Sequence, residues 1–177
     1  MNLTRKVLVA VACAAAITAG AHLSIPMVPV PTTGQTLAVA LAGLFAGPRL
    51  AAAGAGLYLL MVLLGLPVLA GGERLGGAAF FQSLTAGYVI GFIPAAFIIG
   101  WLGRRGAFLW PLLAGLAGHA AVFAFGVPVL AITLGWGDAI AHGLLPFLPG
   151  AVAKSAVAAG VFAVWQKRRG TGRVNGP

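Results

Sequence analysis

Residues 65–92 read GLPVLAGGERLGGAAFFQSLTAGYVIGF, and this stretch decides the fold. It is rich in glycine and holds Pro67 and the adjacent charges Glu73 and Arg74. The sequence on either side is apolar over lengths that suit a membrane. Inside lipid, backbone N–H and C=O groups stay unpaired unless a helix or a closed sheet pairs them. A glycine-rich, charged segment therefore lies in water or folds over a protein cavity, while its flanks lie in the bilayer. The stretch is read as a lid over a small-molecule site.

Composition agrees. Of 177 residues, 60% are hydrophobic and 7% are charged, and mean hydropathy is +1.03. A soluble domain of this size has no interior large enough for so much apolar surface. At roughly 20 residues per span there is room for about six spans with short connections, and none for a soluble domain. The expected fold is an all-α integral membrane protein. It is a bundle of six transmembrane helices in a single domain over residues 1–177, with both termini cytoplasmic.

The net charge is +9. Arg5, Lys6, Arg49, Arg104, Arg105, Lys167, Arg168, Arg169 and Arg173 fall at the ends of apolar runs. That is the positive-inside pattern, not a stripe that binds nucleic acid. With those residues inside, only Arg74 and Lys154 remain outside. Connections at about 24–36, 65–82 and 135–149 then share the outer face, and a basic tail, 167–177, lies inside. The expected location is a membrane crossed several times. The basic, apolar N-terminus is read as a retained first span, since no polar mature sequence follows it.

The helices are expected at about 3–23, 35–45, 48–64, 83–102, 109–125 (with an option to reach 134) and 149–165. The second is short for a span. The first carries Ala10/Ala14 and Ala12/Ala16, small residues four apart on which another helix can pack closely. Internal packing and docking of a second subunit both fit. Pro26, Pro29 and Pro31 exclude helix before Gln35. Thr32 or Thr33 is expected to cap the second helix, and Asp138 a short outer helix.

Lys154, in AVAKSAVAAGVFAVW, is the most informative residue. A lysine within a span costs ~2.5–3.5 kcal/mol on insertion scales. Snorkelling to the outer interface is one account. An ammonium facing an outer cavity, as partner for a substrate carboxylate, is favoured. Tyr88 early in the fourth helix reads as an interfacial anchor on its own pattern, as do Trp101, Trp110, Trp136 and Trp165. His22, His119 and His142 have no metal-ligand spacing and read as polar packing. Cys13 reads as a small core residue. No span holds a carboxylate, and neither a phosphate-binding motif nor a nucleophile constellation occurs. An enzyme is not expected, and no cofactor is implied.

Four segments resemble a known family. Residues 31–36, PTTGQT, are similar to a P-x-T-x-Q-T pattern, and residues 65–72, GLPVLAGG, to G-L-P-V-F-A-G-G. Residues 85–92, TAGYVIGF, are similar to T-G-G-Y-x-x-G-F, and residues 146–154, PFLPGAVAK, to P-F-x-P-G-D-x-x-K. Together they resemble BioY, the biotin-specific substrate-binding (S) component of energy-coupling factor transporters. The resemblance implies a six-helix S component in the cell membrane of a prokaryote that captures biotin at the outer face and delivers it inward with a transmembrane coupling subunit and ATPase subunits. It implies a substrate contact from Lys154; Tyr88, Gln35, Thr33 and Arg74 follow as further candidates, Arg74 from its place in the outer segment and not from the motif. The lid would be built on Gly71, Gly72, Gly76 and Gly77, and the docking face on Ala10, Ala14, Ala12 and Ala16. Ala151 departs from the pattern. An Asp there would lie one helical turn from Lys154; without it, the lysine depends on ligand, water or Asp138, or binding is altered. Ala86 for glycine is a milder departure. An S component for thiamine or riboflavin, and a ligand-free assembly subunit, are the alternatives.

Overall fold

The computed structural model describes residues 1–106 and 108–171; Arg173 and the end of the basic tail lie outside the described residues. The chain is helical except for its connections. Helix α1 is Leu3–His22, with the Asn2 side chain accepting from the Arg5 N–H at 3.1 Å. Helix α2 is Gln35–Ala46 and α3 is Pro48–Leu63. They are joined through Gly47 at φ 84°, a left-handed conformation that glycine adopts without a side-chain clash. Pro48 then starts α3, where its missing N–H needs no partner. Helix α4 is Gly77–Phe81, α5 is Ala86–Leu102, α6 is Leu109–Leu134, α7 is Trp136–Gly143 and α8 is Leu148–Thr171.

Among the described residues, four helical stretches are long and apolar enough to cross a membrane: Leu3–His22, Ala86–Arg105, Leu109–Leu134 and Trp136–Arg169. Helices α2 and α3 are apolar but shorter. Twelve residues of α2 rise only about 18 Å, against roughly 30 Å of hydrocarbon. Helix α5 is the centre of the bundle, packed on α6, α3 and α2. Of its apolar window 61% is buried, against 22% for α1 at the edge. Small residues permit this closeness. A Cβ at Gly115 of α6 would lie 2.8 Å from Ser155 Cβ of α8, so the helices touch there backbone to side chain.

Several boundaries depart from the sequence reading. The connection 24–34 is not irregular throughout: strands β1 (Ser24–Ile25) and β2 (Thr32–Thr33) pair antiparallel, Ser24 opposite Thr33. Paired strands satisfy backbone groups where the prolines forbid helix. The fourth expected helix starts at Ala86 rather than 83, because Ser83 and Thr85 face each other in a turn at 3.4 Å. Helix α4 interrupts the lid and plants Phe80, fully buried. Helix α6 takes the longer option and runs through Pro128. An apolar environment penalises unpaired backbone, so the helix continues past one lost N–H. Helix α8 outruns 165, and Lys167, Arg168 and Arg169 belong to it instead of a tail. Gln166 to Arg169 are good helix formers with no breaker among them.

The two ends of the bundle differ. At one end the Arg105 guanidinium lies 4.4 Å from the Trp101 ring, and Arg169 lies 4.2 Å from Trp165. Gln166 reaches the Gly106 carbonyl at 3.5 Å, joining the α5–α6 turn to α8. At the other end the segments before α2, before α5 and before α8 converge on a cavity.

Candidate functional site

The cavity has a volume of about 290 Å³. That is at the lower edge of small-molecule sites, roughly 300–1,000 Å³. Its floor and walls come from α2 (Gln35, Thr36), α5 (Tyr88, Val89, Phe92), α6 (His119, Val122, Phe123) and α8 (Ala151, Lys154). Pro29, Val30, Pro31 and Thr33 close one side, Leu69, Ala70, Glu73 and Leu75 another, and Phe147 a third. The lining is mainly apolar with a few polar groups, the balance that holds an amphipathic small molecule.

Lys154 faces this cavity and does not snorkel. Its Nζ donates to the Thr33 carbonyl at 2.6 Å and to Thr36 Oγ1 at 3.3 Å. An ammonium has three protons, so one remains for another acceptor. Thr33 Oγ1 accepts from the Gln35 N–H at 3.3 Å and donates to Gln35 Oε1 at 2.9 Å. The cap position itself is Gly34, with no side-chain cap bond, so the expected threonine cap is corrected. The helix still begins at Gln35, whose N–H is met by Thr33 Oγ1 from two residues before it.

From Gln35 the bonds continue to a residue the sequence reading did not single out. Gln35 Nε2 donates to Tyr58 Oη at 2.7 Å, and Tyr58 Oη donates to the Val68 carbonyl at 2.9 Å. Tyr58 is fully buried. It ties α2 and α3 to the lid. Its signal was a phenol deep in an apolar helix, since a buried tyrosine hydroxyl almost always has a partner.

Tyr88 is buried, not an interfacial anchor, and donates to the Gly143 carbonyl at 2.9 Å. Its ring fills a slot against Gly126 of α6. Of the lid glycines, Gly71, Gly72 and Gly77 have positive φ and none lines the cavity; they bend the chain so that Leu69, Ala70, Glu73 and Leu75 do. Glu73 and Arg74 are both exposed; Glu73 lines the cavity and Arg74 does not. Asp138 sits in the first turn of α7, whose cap position is Gly135, so it does not cap that helix. There a carboxylate favours the helix dipole only.

His119 is part of the wall. Its Nδ1 lies 2.9 Å from the Gly115 carbonyl and 3.2 Å from Ser155 Oγ, and Ser155 Oγ donates to the Ala151 carbonyl at 2.7 Å. Among the described residues, no group of three His, Cys, Asp or Glu is placed to hold a metal ion. On α1, Ala14 is buried and Ala10 half-buried against α3, whereas Ala12 and Ala16 are exposed. The two alanine pairs therefore lie on different faces.

The BioY family model matches residues 1–171. The chain belongs to the BioY family. The biotin transporter BioY of Rhizobium etli is 39% identical over 148 residues, 77% of this chain and 78% of that protein. The biotin transporter BioY of Thermotoga maritima is 38% identical over 136 residues, 76% of this chain and 79% of that one. A solved structure, described as the S-component for biotin from an ECF-type ABC transporter, superimposes with TM-score 0.79. It is 26% identical, over 94% of this chain and 95% of the other. Against the BioY pattern, Ala151 is the departure that touches the site. Lys154 bonds a carbonyl just before α2 and a hydroxyl within it, and Asp138 is not among its bonds.

Proposed function

We propose that this chain captures biotin in the cavity between α2, α5, α6 and α8 and serves as the biotin S component of an uptake transporter. The carrying observation is Lys154: an ammonium held inside a BioY-family cavity, with one bond to Thr33 of β2, one to Thr36 of α2 and a third proton to give. A ligand oxygen, above all the carboxylate, gains most from that proton. Gln35 and Thr33 position the lysine and the lid, and Tyr88 shapes the wall. Arg74, exposed beside Glu73 and outside the cavity lining, is assigned a contact with the ligand only as it enters.

The bundle is read as six spans in one domain, with the short α2 and α3 completing the four longer stretches. The end carrying Arg104, Arg105 and Lys167 to Arg169 is assigned to the cytoplasm by the positive-inside rule, and both termini with it. The cavity then opens outward across a prokaryotic plasma membrane. Delivery inward would use a transmembrane coupling subunit and ATPase subunits, docked on the exposed Ala12/Ala16 face of α1. No catalytic role is assigned.

The test is binding of labelled biotin to the purified chain, with thiamine and riboflavin as competitors. Saturable binding of biotin alone is expected, with a rise in thermal midpoint on ligand addition. Absence of biotin binding by a folded preparation overturns the reading.

A further inference from the structure

Among the described residues, one buried side-chain nitrogen or oxygen makes no hydrogen bond: Nε2 of His119. The residue is 6% exposed and lines the cavity. Its tautomer follows from its partners. Nδ1 faces the Gly115 carbonyl at 2.9 Å, and a carbonyl can only accept, so Nδ1 carries the proton. Ser155 has already given its own proton to the Ala151 carbonyl, so its oxygen only receives from Nδ1. Nε2 is therefore a lone-pair acceptor, fixed in orientation by two bonds on the other ring nitrogen. A buried acceptor left unpaired is costly unless something meets it.

The neighbouring polar groups differ from it in having partners. Gln35, Tyr88 and the Ser83–Thr85 pair each have a hydrogen-bond partner already, though their oxygens keep a lone pair, and Glu73 is exposed at the rim. Ala151 presents a methyl group to the cavity. In the cavity wall Lys154 offers a proton, and the His119 ring carries a buried acceptor, Nε2, that has no bond at all.

We propose that His119 is a ligand-recognition residue whose Nε2 accepts a hydrogen bond from a ureido N–H of biotin. This rests on the biotin reading of the cavity. The choice of group is by elimination. Biotin's carboxylate is ionised at neutral pH and its ureido carbonyl and thioether only accept, so the two ureido N–H groups are its only donors. An acceptor at His119 and a donor at Lys154 then read opposite kinds of polar group on one ligand. The pairing also discriminates, because a ligand with no donor at that place leaves Nε2 buried and unpaired.

The experiment compares biotin with its two cyclic-carbamate isosteres, in each of which one ring N–H is replaced by oxygen. Binding to the purified full chain is measured by displacement of labelled biotin. For the unsubstituted chain, one isostere is expected to bind roughly five- to tenfold more weakly than biotin, the worth of one neutral hydrogen bond. In His119→Asn, whose amide can still serve the Gly115 carbonyl but ends short of Nε2, that ratio is expected to fall to about one. His119→Gln, which places an amide oxygen near the Nε2 position, is expected to restore part of it. Should His119→Asn fail to fold, the two isosteres on the unsubstituted chain still decide: neither binding more weakly than biotin overturns the inference. A ratio unchanged in a folded His119→Asn also overturns it. Both results leave biotin binding itself intact, whereas absence of biotin binding by the unsubstituted chain removes the functional reading beneath it.

Discussion

Lys154 Nζ donates a 2.6 Å hydrogen bond to the main-chain carbonyl of Thr33, 121 positions away in sequence. The bond closes the bundle around the cavity, since it joins α8 to the segment that opens α2. It also fixes the ammonium without neutralising it, so the positive charge stays available to a ligand. Lys154→Ala is expected to weaken biotin binding on the order of 10- to 100-fold, the range for a hydrogen bond to a charged group. Labelled-biotin binding to the folded variant checks this, and unchanged affinity would remove the lysine from the site. Thr36→Val breaks only the longer 3.3 Å bond and is expected to cost affinity a few-fold at most.

Tyr58→Phe should loosen the lid. The change removes one oxygen that serves two partners, Gln35 Nε2 at 2.7 Å and the Val68 carbonyl at 2.9 Å. Leaving such groups unpaired costs about 1–3 kcal/mol. Faster amide hydrogen exchange around residues 66–76 is expected, with α6 and α8 unaffected. Uniform protection in the variant would show that the lid is held by its apolar contacts alone.

Two glycines give opposite expectations for the same substitution. A Cβ at Gly126 would overlap the Tyr88 ring, and a displaced ring loses its bond to Gly143. Gly126→Ala is expected to destabilise by about 1–3 kcal/mol. A Cβ at Gly160 meets nothing within 4 Å, so Gly160→Ala is expected to be neutral or to stabilise by up to ~1 kcal/mol. Thermal midpoints of the purified variants separate the two.

The faces of α1 can be separated in the same way. Ala12→Leu with Ala16→Leu alters an exposed face and is expected to leave folding and biotin binding intact while reducing co-purification with a coupling subunit. Ala14→Leu forces bulk into the contact with α3, where Gly54 meets Cys13 and Ala10, and is expected to lower stability first. If the Ala12/Ala16 double variant still co-purifies in full, docking uses another surface.

Much of this arrangement could be read from residue order. Apolar run length located the helices, and the cost of a charge in a span marked Lys154 as facing inward. The lid was legible because glycine and charge cannot lie in lipid. The pairings were not legible. Gln35 and Tyr58 stand 23 positions apart, and no local pattern announces that the amide of one will meet the phenol of the other. His119 was read as polar packing because nothing nearby in sequence marks it; its part in the wall comes from Ser155 on another helix. Helix ends were misjudged where a charge cluster was taken for a terminus, as at Lys167, although those residues favour helix.

The span between Thr33 and Lys154 has a consequence for biosynthesis. Synthesis is vectorial, at about 5–20 residues per second, so on the order of ten seconds separates the two ends of this bond on the ribosome. During that interval α1 to α7 can enter the membrane while the wall carrying Ala151 and Lys154 does not yet exist. A nascent chain is therefore blind to its ligand until α8 inserts. Arrest of translation just before α8 should give a membrane-integrated intermediate whose protease resistance does not respond to biotin, and release past α8 should confer the response in one step.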